Sequence, residues 1–173
     1  MQYSLEELTH IFARLGATNP ESWARSQHLE VINQLHRFLF LRQAWKCAYS
    51  ADDDSWIELA IESFRKTPDN AFAGVGRALE ELLALGAERQ VIVELVRGVQ
   101  ALMLFHISYT LGDPDLTEDD VEEVREMGWA LVETDAESNP TDREISCLHE
   151  SVLETDPRDS GDTGNNPEGV NRG

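Results

Sequence analysis

The stretch Val91-Ile92-Val93-Glu94-Leu95-Val96-Arg97-Gly98-Val99-Gln100-Ala101-Leu102-Met103-Leu104-Phe105-His106-Ile107-Ser108-Tyr109-Thr110-Leu111 decides the fold class. Its apolar residues cover most faces of a helical wheel, and Gly112-Asp113-Pro114 stops it. The run predicts one helix over about 88–111, buried at the centre of a helical bundle. Glu94, Arg97, Gln100 and His106 interrupt its apolarity, which favours a buried helix over a membrane span.

Working back towards the N-terminus, every segment reads as helix. Ser4-Leu5-Glu6-Glu7 fits the capping box, in which Ser and Glu satisfy each other's free amides. Leu5, Leu8, Ile11, Phe12 and Leu15 follow at helical spacing, and Gly16 suits the left-handed C-terminal position. Asn19-Pro20 starts a second segment that runs to about Ser50 without a further Gly or Pro. It is read as one long helix with a candidate break near His28. Asp52-Asp53-Asp54-Ser55 opens the next, ended by Thr67-Pro68. Asp69-Asn70 caps a helix closed by Gly86, in which Gly74-Val75-Gly76 offers a surface for close helix contact.

Towards the C-terminus, Thr117-Glu118-Asp119-Asp120 predicts a sixth helix through Val121, Val124 and Met127. Trp129–Thr134 and Ile145–Leu148 flank the turn formers Asp135-Ala136-Glu137-Ser138-Asn139-Pro140. A small β-hairpin is expected there, with a helical turn plus loop as the alternative. Leu148–Glu154 is read as a short docking segment. The fold class is mainly α: a single-domain helical bundle of about six helices over 1–154, and a disordered tail over 155–173 rich in Asp, Gly, Asn and Pro.

The 173 residues include 33 acids and 14 bases, a net charge of −19. By segment the net charge is +1 over 1–50, −5 over 51–100, −13 over 101–154 and −2 over 155–173. Such acidity excludes a nucleic-acid-binding surface, because phosphates need Lys and Arg to displace their counterions. It excludes docking on an anionic membrane for the same reason. With no signal-like start, and with Cys47 and Cys147 read as reduced thiols, the cytoplasm is the expected compartment.

Motifs for catalysis or metal fail on spacing. A calcium loop from Asp113 would need Gly at 118 and Glu at 124, where the chain has Glu118 and Val124. His149-Glu150 begins a zinc motif whose second His would fall at Leu153. Gly74-Val75-Gly76 lacks the third Gly of a dinucleotide fingerprint. No cofactor, metal or catalytic residue is therefore expected, and His106 is read as a hydrogen-bonded core residue.

The run Ser146-Cys147-Leu148-His149-Glu150-Ser151-Val152-Leu153-Glu154-Thr155-Asp156-Pro157, after Trp129-Ala130-Leu131-Val132-Glu133-Thr134-Asp135, resembles the C-terminus of small uncharacterised bacterial proteins. The acidic, helical character is similar to that of immunity proteins encoded beside secreted toxins. That likeness implies a non-enzymatic antitoxin that occludes the active site of a basic toxin, often one acting on nucleic acid or nucleotides. It carries no residue over. The partner-binding residues expected from the charge pattern are Asp115, Glu118, Asp119, Asp120, Glu122, Glu123 and Glu126, with Trp129 and Leu131 as an apolar centre. Two alternatives stand beside this reading: a structural or adaptor protein forming homo-oligomers, and an enzyme with a carboxylate-held metal.

Overall fold

A computed structural model describes residues 3–30, 32–112 and 121–157. The chain is mainly helical, with six α-helices and one small antiparallel sheet among the described residues. Helix α1 is Leu5–Leu15, α2 Pro20–Glu30, α3 Gln34–Trp45, α4 Ser55–Lys66, α5 Ala73–Ala84 and α6 Arg89–Gly112. Strands β1 (Val132–Thr134) and β2 (Pro140–Glu144) form the expected hairpin. Contacts group the chain into two compact units: residues to Trp45 together with those from Leu104, and Lys46–Met103.

In the first unit, α1 begins with the predicted capping box. The Glu7 amide donates to Ser4 Oγ at 3.2 Å, and the Ser4 amide donates to the Glu7 carboxylate at 2.8 Å. Gly16 closes the helix at φ 86°, a left-handed conformation that a β-carbon would strain. The long helix expected over 20–50 is two helices, separated between Glu30 and Gln34. Side chains there compete for the backbone: Gln27 Oε1 accepts from the Leu35 amide at 2.6 Å, and Asn33 Oδ1 contacts His36 Nδ1 at 2.8 Å. Gly16 turns α2 back onto α1, and the break lets α3 turn back onto α2. Phe12, Trp23 and Phe38 then meet as an aromatic trio, with ring centroids 5.1–5.8 Å apart. Leu8 and Ala24 complete this core.

The second unit packs α4 against α5 and the start of α6 around Trp56, Ile57, Ile61, Leu79, Ile92 and Val93. The Tyr49 ring stacks on Trp56 at 4.3 Å, and Arg97 Nη1 donates to the Tyr49 carbonyl at 2.9 Å. Gly76 is where α4 and α5 approach most closely. A β-carbon there would collide with the Ala60 carbonyl and lie 2.7 Å from Phe64 Cβ, whereas one on Gly74 would meet nothing. The small-residue reading of 74–76 thus holds for one glycine of the two.

Further expectations differ from the structure. Helix α6 is not buried all round: 22% of its most apolar window is buried, although its length and composition would suffice to cross a membrane. Because it is apolar on most faces, its sequence could not say which face would be covered. His106, expected in the core, is exposed. The sixth helix expected from Thr117 begins outside the described residues, and from Val121 onward only the 3-10 turn Glu122–Val124 forms. Glu122 and Glu126 would stand one turn apart on a helix and repel. Val121 and Met127 are 52% and 60% exposed, so no apolar surface holds a helix there. At the C-terminal end, packed chain extends into the segment read as tail, with Thr155 and Asp156 buried.

Gly76→Ala is expected to destabilise the fold by about 1–3 kcal/mol, because the obstructing Ala60 atom is backbone and cannot rotate away. Gly74→Ala, in open space within the same helix, should be neutral or stabilising by up to about 1 kcal/mol. Urea unfolding of the two variants reads the contrast directly.

Candidate functional site

The acidic segment is carried by the first unit, and α3 is its support. One face of α3 buries Gln34, Arg37, Phe38, Leu41 and Trp45. Arg37, only 6% exposed, points its guanidinium into residues 146–151. Its Nε donates to the Ser146 carbonyl at 3.1 Å, and Nη1 reaches Ser151 Oγ at 3.3 Å and Gln34 Oε1 at 3.4 Å. Nη2 lies 3.6 Å from the exposed Glu150 carboxylate. At the other end of the face, Trp45 Nε1 donates to the Val152 carbonyl at 2.9 Å. Leu148 and Val152 are fully buried between these two anchors. Two 3-10 turns, Leu148–Ser151 and Leu153–Thr155, result from this pinning. The segment read as docking is therefore docked on its own chain.

The hairpin is tied down by one carboxylate. Glu133 Oε2 accepts from Asn33 Nδ2 at 3.1 Å, pairs with Arg143 at 3.1 Å and lies 3.5 Å from His36 Nδ1. Strand register sets Val132 opposite Glu144 and Thr134 opposite Pro140, with an irregularity between them. The loop is organised by Asp135. Its carboxylate accepts from the amides of Glu137 (3.0 Å) and Asn139 (2.8 Å) and from the Asn139 side chain (3.0 Å). These bonds, led by that from the Asn139 side chain, hold the Asp135 carboxyl below the ordinary range. Ser138 adopts φ 66°, the left-handed conformation the tight loop requires.

The expected partner-binding residues fall into three groups. Asp115, Glu118, Asp119 and Asp120 lie outside the described residues. Glu122, Glu123 and Glu126 are exposed on and just beyond the 3-10 turn. Trp129 is 45% exposed, held by its Nε1 donating to the Thr110 carbonyl at 2.9 Å, and Leu131 is half-buried. Among the described residues from 121 to 157, the exposed acids are Glu122, Glu123, Glu126, Asp135, Glu137, Asp142, Glu144, Glu150 and Glu154. The bases there are Arg125 and Arg143, and Arg143 is committed to Glu133.

Beside this surface a polar cleft of about 420 Å³ is lined by Ser22, Ser26, Gln34, Ser151, Glu150 and Glu154 among others. Its hydroxyls, amide and carboxylates are acceptors suited to a basic side chain, and its single guanidinium, Arg37, is already engaged. Among the described residues, no three His, Cys, Asp or Glu side chains are grouped to hold a metal ion. Both cysteines are free thiols, and Cys47 is exposed. The His149 ring sits against Phe105 and Tyr109, and its buried Nδ1 has no hydrogen-bond partner among the described residues.

Sequence reasoning passed over Arg37 and Glu133. Arg37 and Trp45 carried a signal: with Gln34, Phe38 and Leu41 they recur at i, i+3, i+4, i+7 and i+11. An arginine within such a face is a buried polar anchor. Glu133 carried none, because it looks like every other acid in the segment. No protein-family profile, curated protein or solved structure matches the chain.

Asp135→Ala should unfasten the hairpin loop, seen as faster amide exchange at Glu137 and Asn139. The depressed carboxyl also fixes the sign of the pH effect. Its stabilising contribution is fully present above the unfolded-state value of 3.8 and is lost as pH falls through the lower folded-state value. Loop protection, taken as the exchange rate relative to that of an unstructured amide at the same pH, should stay constant from neutral pH down to about 4 in the wild type and be lost throughout in the variant.

Proposed function

We propose that the chain is a protein-binding module that neutralises a basic partner, acting as an immunity protein whose acidic C-terminal surface occludes a toxin's active site. The observation that supports this reading is the row of exposed carboxylates from Glu122 to Glu154 on a fixed scaffold, with Arg143 turned to internal pairing. The hairpin and the 3-10 turns present those acids in place, so little ordering entropy is lost on binding. A fixed negative surface steers a positively charged cleft into register and raises the association rate. Trp129 supplies the apolar contact: its ring is half exposed while its N–H is already bonded, so burying the ring leaves no donor unpaired. In this reading the chain performs no chemistry of its own and needs no cofactor.

The test pairs this protein with the product of the neighbouring reading frame, the first candidate toxin. Wild-type protein should restore growth of cells expressing that product and bind it with a salt-sensitive association rate. Replacing Glu122, Glu123 and Glu126 together by Lys should slow association by about tenfold or more at low salt, with the difference shrinking at high salt. Equal rates for wild type and variant at low salt would remove the electrostatic basis of the proposal. Trp129→Ala should act instead on dissociation.

A further inference from the structure

Helix α6 is amphipathic in the inverted sense. At 100° per residue, Val93, Arg97, Leu104 and Ser108 share one side, and Val93, Arg97 and Ser108 on it are buried. The opposite side carries Val91, Leu95, Val99, Leu102 and Met103, which are 53–62% exposed. Two polar side chains are thus inside while five large apolar ones face out. Scattered exposed apolar residues are ordinary, but a continuous helical stripe of them marks an interaction surface.

We infer that this stripe is the seam of a homodimer in which α6 pairs antiparallel with α6 of a second copy. The argument is self-complementarity. Four of the five outward positions are symmetric about the level of Arg97, where Leu95 mirrors Val99 and Val91 mirrors Met103, while Leu102 mirrors the buried Ile92; Glu88, the residue before the helix, mirrors His106. An antiparallel pairing therefore sets Leu95 against Val99, Val91 against Met103, and the exposed Glu88 against the exposed His106. Parallel pairing would set Glu88 against Glu88 and Glu94 against Glu94, between chains that each carry −19. From Leu95 to Gly112 the helix has no carboxylate, so the seam lies on the stretch of chain least opposed by that charge. Gly98, with open space where a β-carbon would be, lets the two backbones approach at the centre.

The experiment uses the full chain. Sedimentation across a dilution series should give twice the 19.5 kDa chain mass, falling to a single chain for Leu95→Glu with Val99→Glu. Both sites are more than half exposed, so circular dichroism and melting should match wild type. Register is read without charged substitutions. In a Cys47→Ser, Cys147→Ser background, Leu95→Cys mixed with Val99→Cys should cross-link on oxidation far faster than either variant with itself. Several outcomes overturn the inference: a monomer at every concentration, a dimer that survives the double Glu variant, or cross-linking that favours identical positions. Flotation of the wild type with neutral phosphatidylcholine vesicles, lost in the double variant while the free protein stays monomeric, would assign the stripe to lipid instead.

Discussion

Burial of the Arg37 guanidinium is the constraint on which the acidic surface depends. A charge removed from water is tolerated only when its hydrogen bonds are replaced. Here the replacements come from Gln34 within α3 and from Ser146, Ser151 and Glu150 about 110 positions along the chain. Satisfying the arginine therefore requires the C-terminal segment to return to α3. Trp45 repeats the logic at the other end of the face, and the apolar pair Leu148 and Val152 fills the space between. A stretch of sequence dense in Asp, Glu and turn formers is ordered by two donors on a helix far away in the chain.

That arrangement divides the acids by role. Glu133 and Asp135 face inward or along the loop and are used in folding, one by Asn33 and Arg143, the other by its own loop amides. Of the exposed carboxylates that remain, Glu150 approaches Arg37, and crowding of like charge among the others lowers stability until a cation or a basic surface offsets it. Such a surface makes stability and binding respond together to salt.

The helices with their own caps and stripes were legible in the sequence: Ser4 to Glu7 and Gly16 delimit α1, and the turn formers 135–140 mark the hairpin. A break was a candidate near His28, a few residues before the observed gap, but its cause was not legible. The gap between α2 and α3 is made by Gln27 and Asn33 bonding to backbone and side chains nearby, with no Gly or Pro to announce it. Helix α6 was ambiguous because a run apolar on most faces does not say which face will be covered. The exposure of Glu122, Glu123 and Glu126 follows from their charge, which keeps them in water. Of their supports, Arg37 could be read from its place on the buried face of α3, whereas Glu133 could not be separated from the other acids without knowing what lies opposite it.

Native-state hydrogen exchange over residues 145–156 tests most directly whether the acidic segment is an ordered surface held by α3. The Ile145 amide, bonded to the Leu131 carbonyl at 2.8 Å, and the Asp156 amide, bonded to Leu153 at 3.2 Å, should exchange slowly in the wild type. In Arg37→Met they should exchange fast, while α4 and α5 keep their protection. Fast exchange at both amides in the wild type, or protection unchanged by the loss of Arg37, would contradict the account.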